Sequence, residues 1–137
     1  ILAGTGILEP KLKQLVKQLH LSSRVKFLGM VPHDRLSSIY RQSSLFVLPS
    51  LSESQSNSLL EALATGLPVV ATNIGGNPEI VNQSNGILVP SANSYALAQA
   101  IIKLLKQTSK KIDLEEKFSW QQTAKKYFQL YSRSNNF

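Results

Sequence analysis

Cysteine is absent from the 137-residue chain, so neither a disulfide framework nor a thiolate metal site can be built. Acidic residues are scarce: 8 Asp and Glu stand against 15 Lys and Arg, for a formal charge of +7. No Asp-x-Asp pattern occurs, which agrees with chemistry that needs no metal. With 7 Gly and 6 Pro, the chain is too poor in both for a collagen-like or low-complexity protein. No apolar run approaches the roughly 18–20 residues that a spanning helix requires. The only methionine is Met30, and the opening Ile1-Leu2-Ala3-Gly4 reads as the second half of a buried strand. The chain is therefore expected to be a piece of a longer protein.

What is present suits a folded domain. Of the residues, 42% are hydrophobic and 17% charged, enough for a real core and too few residues for a two-domain enzyme. The basic excess is concentrated late. Residues 103–137 carry 8 cations and 3 anions, net +5, while residues 1–102 carry 7 and 5, net +2. Such a tail suits an anionic partner, whether phosphate, acidic membrane or nucleic acid. Its simpler reading is a solvated surface.

Short apolar runs alternate with helical patterns. Strands are expected at Ile1–Ala3, Val25–Leu28, Leu45–Leu48, Val69–Ala71 and Gly86–Val89. Helices are expected at Glu9–Leu21, Pro32–Ser43, Ser56–Ala64, Pro78–Val81 and Tyr95–Leu105. The last of these should turn Leu97, Ala98, Ile101, Ile102 and Leu105 inward. Gly66 is placed to cap the third helix. Residues 106–117 read as a linker, and Phe118–Tyr131 as a terminal helix within a closing segment, 118–137. Five strands, apolar on both faces and separated by helices, indicate a doubly wound, Rossmann-like parallel sheet in an α/β domain over residues 1–105. Such sheets bind ligands beyond the carboxyl ends of their strands.

Residues 49–62, Pro-Ser-Leu-Ser-Glu-Ser-Gln-Ser-Asn-Ser-Leu-Leu-Glu-Ala, form the segment that carries chemistry. A strand ends at Pro49, and a helix opens near Ser56 after a loop rich in Ser. The unpaired N–H groups of a helix start, with its partial positive charge, favour phosphate. Ser54, Ser56 and Asn57 could cap the helix or meet phosphate oxygens. On one continuous helix, Glu53 and Glu61 would stand ~12 Å apart along the axis. That is too far for a glycosidase pair, which needs roughly 5–9.5 Å. Two carboxylates gripping opposite ends of one extended ligand fit better. The plain alternative is a well-capped helix with a solvated Glu.

The order of motifs is then informative. Val25-Lys26-Phe27-Leu28-Gly29, Leu45-Phe46-Val47-Leu48-Pro49-Ser50, the Glu53 to Glu61 segment, Gly66-Leu67-Pro68-Val69-Val70-Ala71-Thr72, Gly75-Gly76-Asn77-Pro78-Glu79-Ile80-Val81 and Asn85-Gly86-Ile87-Leu88-Val89 follow in unbroken sequence. Together they resemble the family-4-type retaining glycosyltransferases of the GT-B fold, over residues 1–105.

The resemblance implies the carboxyl-terminal, donor-binding half of that fold. It implies that Glu53 is the catalytic-site carboxylate set against hydroxyls of the donor sugar, and that Glu61 binds the ribose. Main-chain N–H groups of Ser54, Gln55, Ser56, Asn57 and Ser58 would approach the diphosphate, and the base would rest near Val31 and His33. No metal or other cofactor is implied; a nucleoside-diphosphate sugar is the substrate. Expected partners are that donor, a saccharide or lipid acceptor, an acceptor domain upstream of Ile1, and peripheral contact with an anionic membrane, but not nucleic acid. The expected location is cytoplasmic, at the inner face of a membrane if peripheral. Many relatives carry Gly-Phe-Gly after the first Glu, where this chain has Ser54-Gln55-Ser56. The Arg and Lys that relatives place near the first strands would precede Ile1, so this chain alone is expected to be inactive. Rival readings are a binding module without turnover, an adaptor held at membranes by the basic tail, and another GT-B enzyme such as a nucleotide-sugar epimerase or a phosphorylase.

Overall fold

The structure, a computed structural model, describes residues 1–107. Strands β1 (Leu2–Ala3), β2 (Phe27–Gly29), β3 (Phe46–Leu48), β4 (Val69–Thr72) and β5 (Gly86–Val89) alternate with five helices. These are α1 (Glu9–Gln18), α2 (His33–Arg41), α3 (Asn57–Ala64), α4 (Asn77–Ile80) and α5 (Ser94–Lys106). Every element expected within the described residues is present, within a few residues. The terminal helix expected over residues 118–131, the linker beyond Gln107 and most of the basic tail lie outside the described residues.

All strand pairs are parallel, as expected, but the five runs form two sheets rather than one, ordered β1-β2 and β3-β4-β5. Apolar runs reveal strands; they do not reveal where a ladder of hydrogen bonds stops. The chain divides into two compact units, residues 1–38 and from Ile39 onward.

In the first unit, Leu2 N–H donates to the Lys26 carbonyl at 2.8 Å and Gly4 N–H to the Gly29 carbonyl at 2.7 Å. Pro10 sits in the first turn of α1, where a missing N–H costs nothing. The helix ends on His20 in the left-handed region, φ +56°, with His20 and Leu21 N–H donating back to Lys17 and Val16 carbonyls. The expectation that Ile1–Ala3 is buried fails: Ile1 is 70% and Leu2 43% exposed. β1 pairs with β2 alone in its sheet, and its side chains stay open to solvent.

In the second unit β4 is central and buried throughout. Alternation sends Val70 to one face, where it packs with Val89 and with Leu97, Ala100, Ile101 and Leu104 of α5. Val69 and Ala71 point to the other face and are fully buried, while α3 packs on β3 and β4 with Leu59 and Leu63 fully enclosed. The inward face of α5 differs from expectation. Ala98, Ile102 and Leu105 are exposed, and Ala96, Ala100 and Leu104 replace them. Both sets obey the helical period, and contact with Val70 and Val89 selects between them. Gly66 closes α3 at φ +82°, its N–H donating to the Leu63 carbonyl at 2.9 Å, as the sequence predicts.

Candidate functional site

β3 and β4 run parallel, so their carboxyl ends open side by side. From the end of β3, Pro49 to Ser56 lead into α3. Within this loop the Ser50 hydroxyl donates to Glu53 Oε1 at 2.7 Å, holding a half-buried carboxylate in place. Thr72, buried at the end of β4, donates its hydroxyl to the Ser50 carbonyl at 2.8 Å. Asn77 in turn donates Nδ2 to the Thr72 carbonyl at 2.9 Å, while its own Oδ1 stays buried without a partner. The loop is thus tied to the ends of both strands.

Its other support is backbone against backbone. Gly76 N–H donates to the Ser54 carbonyl at 2.8 Å. A Cβ on Gly75 would collide with the Glu53 carbonyl oxygen, and one on Gly76 would stand 2.6 Å from that of Ser54. Gly75 also adopts φ +50°. Only glycine permits both the turn and the approach.

Ser56 caps α3. Its hydroxyl accepts from Leu59 N–H at 3.4 Å and lies 2.9 Å from the Ser58 hydroxyl, and the residue is buried. The helix begins at Asn57, one residue later than expected, so the Ser56 side chain is spent on capping rather than left for a ligand. Ser54, Gln55 and Asn57 are exposed, and Ser58 is half-buried. Glu53 precedes the helix, whereas Glu61 lies within it, half-buried.

Tyr40, in the last turn of α2, donates its hydroxyl to Glu61 Oε2 at 3.3 Å. Its ring meets Phe46 edge-on at 5.7 Å between centroids. Burial, followed by the nearby Glu61 charge and the hydrogen bond to it, pushes the Tyr40 hydroxyl up to about 12. The tyrosine is therefore a neutral donor at any ordinary pH. Sequence reasoning gave Tyr40 only a place within the expected Pro32–Ser43 helix. The missed signal is the hydroxyl itself, since a buried Tyr O–H needs a partner.

Val31 and His33 belong to the first unit. Val31 is half-buried between β2 and α2, and His33 is the exposed first residue of α2. Beside the loop, a cavity of about 240 Å³ opens between the ends of β3, β4 and β5 and the start of α5. Pro49, Leu51, Thr72, Val89 and Leu97 line it, and none of Glu53, Ser54–Ser58 or Glu61 does. Of the residues expected to meet a donor, Ser54, Gln55 and Asn57 are the exposed ones around the start of α3.

The family described as "Glycosyl transferases group 1" matches residues 1–107. This chain belongs to that family. Among its relatives, the D-inositol 3-phosphate glycosyltransferase of Corynebacterium urealyticum is 37% identical over 94% of this chain and 32% of its own length. An uncharacterized glycosyltransferase of Methanocaldococcus jannaschii is 34% identical over 96% of this chain and 36% of its own. Sucrose-phosphate synthase from Thermosynechococcus elongatus superposes with a TM-score of 0.79 at 30% identity, over 93% of this chain and 34% of its own. Anabaena HepE in complex with UDP-glucose gives 0.72 at 30% identity, over 80% and 31%. This group 1 domain thus has the α/β fold with parallel sheets found in GT-B glycosyltransferases, as the sequence predicts. It spans about a third of the length of the curated relatives it matches. Among its described residues, no helix is long and apolar enough to cross a membrane.

Proposed function

We propose that this chain is the nucleotide-sugar-binding domain of a retaining, metal-independent glycosyltransferase of the family-4 type. The enzyme moves a hexose-type sugar from a nucleoside diphosphate to a saccharide or lipid acceptor held by a separate, upstream domain. One observation carries the reading. Glu53, in the loop before α3, and Glu61, within α3, flank a helix start whose loop backbone is braced at Glu53 and Ser54 by Gly75 and Gly76. Its support is the family membership and a solved relative that holds UDP-glucose.

In this reading Glu61 accepts hydrogen bonds from the ribose hydroxyls and Glu53 accepts them from the donor sugar. The start of α3 and the N–H groups of residues 54–58 face the diphosphate. As the glycosidic bond loosens, negative charge grows on the leaving nucleoside diphosphate, and oriented N–H dipoles already aimed there stabilise it. Val31 and His33 contribute to the base subsite. Residues 1–137 alone do not transfer sugar, because catalysis needs an acceptor held in reacting geometry as well. Any peripheral membrane contact falls to the basic tail and serves a lipid acceptor.

The test is Glu61→Ala in the intact protein, with affinities for UDP, GDP and ADP measured by calorimetry. Loss of a charged hydrogen-bonding partner should weaken the best-bound nucleotide by ~1.5–3 kcal/mol. Unchanged affinity removes Glu61 from the ribose site.

A further inference from the structure

We infer that Tyr40 is a positioning residue for nucleotide recognition, orienting the Glu61 carboxylate through the hydroxyl that it donates to Oε2. The inference rests on the reading of Glu61 as a ribose-binding group and adds a residue from another helix to it. Tyr40 lies 21 positions before Glu61 and reaches it at 3.3 Å. The residue as a whole is only 7% exposed. Its ring is fixed edge-on against Phe46 of β3, which aims the hydroxyl at α3.

The chemistry of the pair explains why a tyrosine stands here. A glutamate on a helix surface samples several rotamers, and freezing it costs entropy when ligand binds. A donor anchored in the core removes that freedom before binding. A carboxylate has about four acceptor positions, so a single hydroxyl donor does not saturate it. Because Tyr40 stays neutral, it orients the carboxylate without cancelling its charge. A lysine or arginine in its place would compete with the ligand for that charge.

The experiment is a double-mutant cycle in the intact protein: Tyr40→Phe, Glu61→Ala and both together. UDP, GDP and ADP are screened first, and the best-bound is compared with its 2′,3′-dideoxy counterpart. Phe keeps the ring and its contact with Phe46, and circular dichroism and thermal unfolding check that each variant folds. Tyr40→Phe should weaken the ribonucleotide by ~3–10-fold and leave the dideoxy nucleotide unchanged. In the Glu61→Ala background it should cost nothing further. Equal losses on both nucleotides, or losses that multiply across the cycle, would show that Tyr40 acts elsewhere and overturn the inference. If Glu61→Ala weakens binding and Tyr40→Phe does not, the inference fails and the reading of Glu61 stands. If Glu61→Ala itself has no effect, that reading falls and takes the inference with it.

Discussion

Three glycines separate the two reasons for which this fold uses glycine. Gly29 has φ +65°, and a Cβ there would meet nothing closer than Thr5 Cγ2 at 4.0 Å. Gly29→Ala therefore measures backbone strain alone, about 1 kcal/mol. Gly76 has φ −81°, which any residue adopts, but its Cβ would lie 2.6 Å from the Ser54 carbonyl oxygen. Gly76→Ala measures the close approach alone, ~1–3 kcal/mol by analogy with overpacked cores. Gly75 combines φ +50° with a collision against the Glu53 carbonyl, where neither partner is a flexible side chain. Gly75→Ala should thus cost the sum, ~2–4 kcal/mol. Urea unfolding of the three variants, with unchanged m-values, gives the comparison. The expected order of loss is Gly75 over Gly76 over Gly29. Nucleotide affinity should fall for the first two, because their loop must shift. Equal losses at Gly75 and Gly29 would refute the claim that this turn presses on the Glu53–Ser54 backbone.

Ser56→Ala should lower stability by ~1–2 kcal/mol in a denaturant titration, since it removes the cap from Leu59 N–H in a buried setting. Ser56→Asp, which can still cap, should recover part of that loss. Tyr40 predicts a pH dependence. Its hydroxyl is raised from 10.0 to about 12 in the folded state, so folding holds the proton more tightly. The resulting stability is fully present below pH 10 and is lost as pH rises from 10 to 12. The stability difference between the native protein and Tyr40→Phe should therefore shrink over that window, by up to ~1.4 kcal/mol per pH unit. A difference that stays flat across it contradicts the burial of this hydroxyl against Glu61.

The parts of the fold legible in the sequence were those set by local chemistry. Gly66 could end α3 because the left-handed cap favours glycine, and the apolar run Leu45–Leu48, stopped by Pro49, read as the strand that forms over Phe46–Leu48. Tertiary selection was not legible. The period of α5 allowed two inward faces one residue apart, and packing on β4 and β5 chose Ala100 and Leu104 over Ile102 and Leu105. At the site, the Ser-rich loop and its two glutamates were visible because they are contiguous. The groups that hold them were not. Tyr40, Thr72 and the Gly75-Gly76 turn come from separate stretches of chain, and only the fold brings them together. The first sequence clue to them is a polar or glycine residue placed where packing alone would favour an alkyl side chain.

The two carboxylates share a pattern of support that bears on what they can bind. Each is met by a hydroxyl: Ser50 donates to Glu53 at 2.7 Å and Tyr40 to Glu61 at 3.3 Å. A hydroxyl donor orients a carboxylate while leaving its charge intact. Such a group suits a ligand that offers several neutral O–H donors, which is what sugars present. It suits a phosphate poorly, because two anions repel. The loop between the glutamates has the opposite character: no charged side chain stands from Ser54 to Leu60, and a helix start supplies N–H groups. In the proposed reading Glu53, the main-chain donors and Glu61 would meet, in that order, the sugar, the diphosphate and the ribose. The glycine turn follows from the same requirement. Donors on a loop stabilise growing charge only if they are already in place, and pressing that loop against another backbone holds it there without a side chain to relax.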